Sequence, residues 1–237
     1  MFKTTAPHRR SAETRSRILA TALATFRQVG LDSATMRQIS KDAGVALGAA
    51  YYYFPSKEAI VQAFYESVQE EHRQRLLVAL APAGLNLEQR LQAAFHSKLD
   101  IVEGDRKFLG TLFRYTGEPG HPLSVLGEGA RPVREQSIAI FELALGDEKL
   151  PDDIRGFLPT ALWALHMAML LYFIHDASPN QERTRKLVDG ILSLVVRLLT
   201  LAKFPLLKPV RGSLFSLLRE AGLFPSTLPA VLREEAP

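Results

Sequence analysis

Apolar residues along this chain recur at intervals of three and four. No stretch of Val, Ile and Thr alternates with polar residues at a period of two between turn signals. The pattern predicts an all-α fold. Glycine and proline cut it at Gly30, Gly44, Pro55, Pro82 with Gly84, Gly104, the stretch from Gly117 to Pro122, Gly146 with Pro151, Pro179, Pro205 and Pro209. Helices are therefore predicted over 12–29, 36–43, 47–53, 57–79, 87–103, 106–116, 125–145, 152–175 and 181–203, with a short last one over 213–221. The interior segment LFRYTGEPGHPLSVLGEG is the most loop-like, and neither a fixed-period repeat nor a low-complexity tract is visible.

The two short helices near residue 40 carry local signals of their own. Thr35 precedes the apolar positions Met36, Ile39 and Ala43, and Gln38 follows it by three, the pattern of a capping box. Gly44 is placed to adopt the left-handed exit of that helix, with Val45 available to pin the turn to a core. A second short helix starts about three residues later. This is helix-turn-helix spacing, although an αα-corner in a purely structural protein would use it too.

Charge changes the balance between those readings. The 237 residues hold 29 Lys and Arg against 25 Asp and Glu, for a net charge of +4. Residues 1–57 hold nine basic against three acidic residues, and the remainder twenty against twenty-two. A basic head on a near-neutral body suits contact with a polyanion, and a merely solvated surface is the plainer alternative. Cysteine is absent, which excludes a disulfide framework, a thiolate nucleophile and Cys-ligated zinc. The longest strongly apolar run, 161–174, is shorter than the roughly 20 residues of a bilayer-spanning helix and contains His166, so it is read as a buried helix. MFKTTAPHRR has no apolar stretch behind it resembling a secretory signal, and the expectation is a cytoplasmic protein with no membrane partner.

The segment ATMRQISKDAGVALGAAYYYFPSKEAI, preceded by RSRILATALATFRQVGLDS, resembles the N-terminal DNA-binding domain of the TetR family of transcriptional regulators. The likeness runs over about fifty continuous residues: Ile18, Leu19, Ala22, Phe26 and Gly30, then Thr35, Ile39, Ala43, Gly44, Val45, Gly48, Tyr51, Phe54, Lys57 and Glu58. It implies a three-helix DNA-binding head over 1–57, an effector-binding and dimerisation body over 58–204, and a C-terminal extension over 205–237 with a short helix at Leu214, Leu217 and Leu218. By the same resemblance Thr35 caps its helix and touches phosphate, the Tyr51 hydroxyl meets the DNA backbone, and Lys57 binds phosphate. Helix N-terminal amides, a hydroxyl and an ammonium converging on phosphate oxygens is sound chemistry for positioning, though it reads no bases.

The second short helix departs from the family pattern. Ala46 stands where a polar cap is usual, Leu47 where a polar residue is frequent, Ala49 for a common Thr, Ala50 for a large apolar residue and Tyr52 for a common His. Apolar contact of Leu47 and Ala49 with thymine methyls, close approach at Gly48, and the hydroxyls of Tyr51 and Tyr52 remain as readers. Arg37 and an N-terminal arm with Lys3, Arg9 and Arg10 are expected to add contacts, the arm in the minor groove or else solvated. Phe54 is expected in the core.

Beyond Glu58 only general architecture carries over. LPTALWALHMAMLLYFI and LVDGILSLVVRLLTLA are too apolar for helices with one buried face, and the resemblance implies that the last two long helices pair with a second copy in a homodimer. It also implies an internal apolar pocket with few polar anchors. Candidate linings are Phe95, His96, Leu99, Leu112, Phe113, Tyr115, Trp163, His166, Met167, Leu170 and Phe173. His96 and His166 are possible ligand contacts or satisfied core histidines, and Arg114 an anion clamp or a surface ion pair. The composition favours a largely apolar, uncharged small-molecule effector.

No H-x-x-x-H pair, G-x-S-x-G elbow, phosphate-binding loop or dinucleotide fingerprint occurs, and no cofactor, metal or catalytic residue is implied. The reading is a regulator that binds a double-stranded, pseudo-palindromic operator as a homodimer, expected to be a repressor released by its effector. An activator of the same fold, or an all-helical lipid-binding protein, are the alternatives.

Overall fold

The computed structural model describes residues 6–118, 120–204 and 208–220. Among them the chain forms ten α-helices and no strand: α1 (Ala6–Val29), α2 (Met36–Asp42), α3 (Leu47–Tyr53), α4 (Lys57–Leu80), α5 (Leu87–Val102), α6 (Arg106–Phe113), α7 (Arg131–Leu145), α8 (Asp152–His175), α9 (Glu182–Ala202) and α10 (Lys208–Glu220). Leu214 and Leu218, the expected apolar face of the last helix, have side chains outside the described residues, as do Lys3 and Arg9 of the arm.

The head closes around Ile18, Ala22 and Phe26 of α1, Ile39 and Ala43 beside α2, Ala50 of α3, and Phe54, all buried. Thr35 caps α2 by accepting from Gln38 N at 3.2 Å. The capping box is only half made, because the Gln38 amide turns forward to both Asp42 carboxylate oxygens, at 2.7 and 2.6 Å, instead of back to residue 35. A charge-assisted partner one turn ahead outcompetes the neutral backbone amide. Gly44 leaves α2 at φ +64, and Val45 N donates to Ser40 O at 3.0 Å, the six-residue closure that requires a left-handed residue. Ala46 makes no side-chain cap at the start of α3.

In the body, α4 packs on α5 and α7, α7 on α8, and α5 on α9, while α6 fills the space between α1 and α8. Two side-chain contacts fasten α9 to α5: the Arg185–Asp100 ion pair at 2.7 Å and a hydrogen bond between His96 Nε2 and Asp189 Oδ1 at 2.8 Å. The α8–α9 turn is organised by buried Asp176. It accepts from Ser178 N and Oγ at 2.8 and 2.7 Å, and from Thr184 N and Oγ1 at 2.9 and 2.7 Å. By length and composition α8 could cross a bilayer, but here it is a body helix with Leu158, Leu162, His166, Leu170 and Phe173 buried.

One predicted helix starts late. Residues 125–130 are not α-helical, and α7 begins at Arg131 with proline in its first turn. The preceding chain is a series of tight turns, with Ser124 N on His121 O at 2.9 Å and Gly127 N on Ser124 O at 3.1 Å. Gly127 takes an extended conformation that interrupts helical propagation, and Pro132 supplies the favourable start just inside the helix.

Candidate nucleic-acid interface and ligand cavity

On the head, Thr35, Arg37, Ala46, Leu47, Gly48, Tyr51 and Tyr52 are exposed, and Ala49 and Lys57 are partly so. They gather at the α2 N-terminus, along one side of α3 and at the start of α4. Ala50 faces inward and anchors α3, and Phe54 is buried with the Arg15 guanidinium 4.9 Å above its ring. The three consecutive tyrosines part ways. Tyr53 turns inward, its hydroxyl 3.1 Å from Ser11 Oγ of α1, while Tyr52 leans edge-on against the Tyr53 ring and is 82% exposed. A ring this exposed on a seven-residue helix does not belong to the core.

Lys57 has a second task. Its ammonium donates to Leu31 O at 2.6 Å and Asp32 O at 3.2 Å, closing the α1–α2 turn onto α4. Two of its three donors are thus occupied. Ser56 caps α4 by accepting from Ala59 N at 3.2 Å. Both ties were hidden in the sequence, since nothing in the local pattern says where a lysine tip ends.

The body holds a cavity of about 80 Å³ between α4, α5, α6, α7 and α8. Five of the eleven expected pocket residues line it: Phe113, Trp163, His166, Met167 and Leu170. The others lie elsewhere. Phe95, Leu99 and Leu112 are buried in the surrounding core, on the sides of α5 and α6 that the cavity does not reach. His96 is committed to Asp189, and Tyr115 stacks on His121 at 4.0 Å and donates to Asp32 Oδ1 at 3.3 Å, at the junction with the head. Phe173 is buried under the Arg106 guanidinium, 5.2 Å away, and Arg114 is exposed.

The sequence reading missed Phe64, Tyr65, Val68 and Gln69 of α4, Lys98 of α5, and Arg134 and Ser137 of α7, all on the wall. One signal was available: Lys98 falls on the stripe Leu91, Phe95, Lys98, Val102, where an apolar residue belongs. Its side chain is 3% exposed and donates to Gln69 Oε1 at 3.0 Å. Burial pulls its ammonium down to about 7, with Glu71 opposing. His166 is 1% exposed, and neither ring nitrogen has a partner among the described residues. Burial, then the neighbouring His72 and Lys98, push its imidazole well below its ordinary range. His72, 6.1 Å away ring to ring, shares its Nε2 with Ala94 O at 2.8 Å and is lowered to about 3, chiefly by burial. Arg134 donates from Nη1 to Val125 O at 2.9 Å and Gly127 O at 3.1 Å, fixing the turn segment as part of the wall.

Two family profiles match this chain: "Bacterial regulatory proteins, tetR family" over residues 18–64, and "Tetracyclin repressor-like, C-terminal domain" over residues 90–212, more than half of the sequence. The chain belongs to the TetR family. The match over residues 18–64 covers the second half of α1, all of α2 and α3, and the start of α4. It is 37% identical over 90 residues to the HTH-type transcriptional regulator SrpR of Pseudomonas putida, an alignment covering 38% of this chain and 40% of that one. It is also 37% identical over 90 residues to the uncharacterized HTH-type transcriptional regulator TtgW, again of Pseudomonas putida, covering 38% of this chain and 63% of that relative. The chain thus spans less than two thirds of these relatives. In fold it resembles a TetR transcriptional regulator from Nitrosomonas europaea, with TM-score 0.61 and 17% identity over 76% of this chain and 96% of that one.

Proposed function

We propose that this TetR-family chain is a cytoplasmic, homodimeric repressor that binds a pseudo-palindromic operator and leaves it when a small, largely apolar effector fills the body cavity. The observation that carries this reading is the double engagement of α4. Its first residue, Lys57, is bonded to the α1–α2 turn of the head, and Phe64, Tyr65, Val68 and Gln69 on the same helix line the cavity. Seven residues of helix, about 10 Å, separate the two. A shift of α4 forced by a ligand is therefore felt by the head, and an effector favouring one position of α4 biases the spacing of paired heads.

On this reading residues 1–57 serve as the DNA head and 58–204 as the effector and dimer body. Thr35, Tyr51, Lys57 and Arg37 contact phosphate, together with Arg10, which α1 carries on its first turns in place of the expected arm. Leu47, Gly48, Ala49 and Tyr52 contact bases, next to the uncapped Ala46. Dimerisation is supported by the apolar stripe Leu187, Leu194, Leu198 and Leu201 on α9, which is exposed beside Leu171 and Tyr172 of α8. A stripe of that size is characteristic of a subunit contact. Two-fold pairing presents two α3 helices at about 34–36 Å, one turn of DNA.

Selection of bound sequences from a random DNA pool by the purified protein tests this. The expected result is a recovered inverted repeat. Absence of enrichment would overturn sequence-specific binding.

A further inference from the structure

The cavity has a charge character that the sequence did not suggest. Three of its wall residues carry basic nitrogens, Lys98, Arg134 and His166, and none of its wall residues is Asp or Glu. The Lys98 ammonium, on a side chain only 3% exposed, is bonded to a neutral amide, Gln69 Oε1. A buried cation bonded to a neutral acceptor has given up water for little opposite charge, since Glu71 acts on it only through space and is itself paired with Arg75 at 2.5 Å. Beside it, the imidazole of His166 is fully enclosed, and neither of its nitrogens, one a donor and one an acceptor, has a partner among the described residues. The rest of the wall includes Phe64, Val102, Leu109 and Trp163.

We infer that the cavity takes a small apolar monocarboxylic acid, its carboxylate set against Lys98 and the His166 N–H, and its short hydrocarbon body against the apolar wall. The inference rests on the regulatory reading of this cavity and narrows it: the effector is apolar in its body but acidic at one end, in place of the uncharged molecule expected from composition. One carboxylate oxygen accepts from the ammonium and the other from the imidazole, so two groups that are poorly satisfied in the free protein are satisfied together. Arg134 is held by two backbone carbonyls and adds positive potential from the far wall. The same lining disfavours amines and quaternary ammonium compounds, which would add a fourth basic group to a site with no carboxylate on its wall.

The test uses the full-length protein and isothermal calorimetry at pH 6.5 with propionic and butyric acids, whose size matches a void of about 80 Å³, their primary amides, and butylamine. Trp163, the single tryptophan, lies on the cavity wall and gives an independent fluorescence signal. The acids are expected to bind at least about tenfold more tightly than the amides, with butylamine weakest. Lys98→Met is expected to bring the acids down to the affinity of the amides, with amide binding changed less than about threefold; Lys98→Gln serves if the first variant fails to fold. An amide that binds as tightly as its acid, an acid preference that survives in the variants, or no binding of acid and amide alike each overturns the inference. Random-pool DNA selection on the same sample separates the two claims. An enriched operator with no acid preference refutes the acid and leaves the regulator, whereas acid preference without DNA enrichment does the reverse.

Discussion

Arg27 of α1 and Asp105, between α5 and α6, form a two-point ion pair, Nε to Oδ1 at 2.5 Å and Nη2 to Oδ2 at 3.0 Å, which ties the DNA head to the body. The carboxylate raises the Arg27 guanidinium further above its ordinary range, first through the hydrogen bond. Phe26 stacks on Phe108 of α6 at 5.7 Å, and Phe108 in turn meets Phe64 of α4 at 5.5 Å, so the tie continues into the helix that walls the cavity. Arg27→Met is expected to cost only about 1 kcal/mol of stability, because the arginine is half exposed. Operator affinity without effector is expected to stay within about threefold, while release by effector is blunted. A full effector response in the variant, read by fluorescence anisotropy, would place the coupling in α4 alone.

The buried Lys98 gives stability an unusual pH dependence. Unfolded, its ammonium titrates near the ordinary 10.5, and folded near 7. Between those values the unfolded chain binds more protons, so stability rises with pH, by up to about 1.4 kcal/mol per unit. The charged or titratable groups around it are Glu71 and His72 of α4 and His166 of α8, of which Glu71 alone opposes the shift. Urea unfolding at pH 7, 8 and 9 is expected to show the rise, and Lys98→Met to abolish it and to raise Tm at pH 7. A flat profile in the wild type would show that the ammonium reaches solvent.

Below pH 6.5 the two buried histidines act in the same sense. His72 and His166 are neutral in the folded chain and charge in the unfolded one, so acid removes stability as pH falls from 6.5 towards about 3, the folded value of His72. His166→Phe, which keeps a ring in the stack, is expected to flatten this limb by up to one proton's worth of slope. An unchanged acid limb would contradict neutral burial of His166.

Ala46 leaves the first amides of α3 without a side-chain cap. Ala46→Ser is expected to stabilise the chain by about 1 kcal/mol. An unchanged melting temperature would contradict the start of α3 at Leu47.

Leu194 and Leu198 are exposed one turn apart on α9. Leu194→Glu with Leu198→Glu is expected to give a monomer in sedimentation at micromolar concentration, with operator affinity reduced by at least 100-fold. A monomeric wild type, or a dimeric double variant, would move the interface elsewhere.

Much of this molecule is legible in its sequence where local chemistry decides. The bounds of α3 and α8 follow from their flanks, since Gly44 and Pro55 bracket the recognition turn and Pro151 and Pro179 bracket the long apolar helix. Segment 125–130 misled because its apolar residues keep helical spacing while Gly127 extends and Pro132 resets the start. The cavity was half legible for a different reason. Periodicity says which face of α5 is buried, but Phe95 and Lys98 share that face, and only the packing of α4 and α7 decides which one meets empty space. The destination of a long side chain, such as Lys57 on the Leu31 carbonyl or Arg27 on Asp105, depends on contacts 26 and 78 residues away and leaves no local trace.

The most direct measurement of the central claim is the salt dependence and stoichiometry of binding to the selected operator, by fluorescence anisotropy from 50 to 300 mM salt. A dimer whose two heads neutralise several phosphates each should bind as two chains per operator, with log K falling linearly against log salt at a slope of about −6 to −9. One chain per site, or a slope near zero, would contradict a paired helix-turn-helix reader.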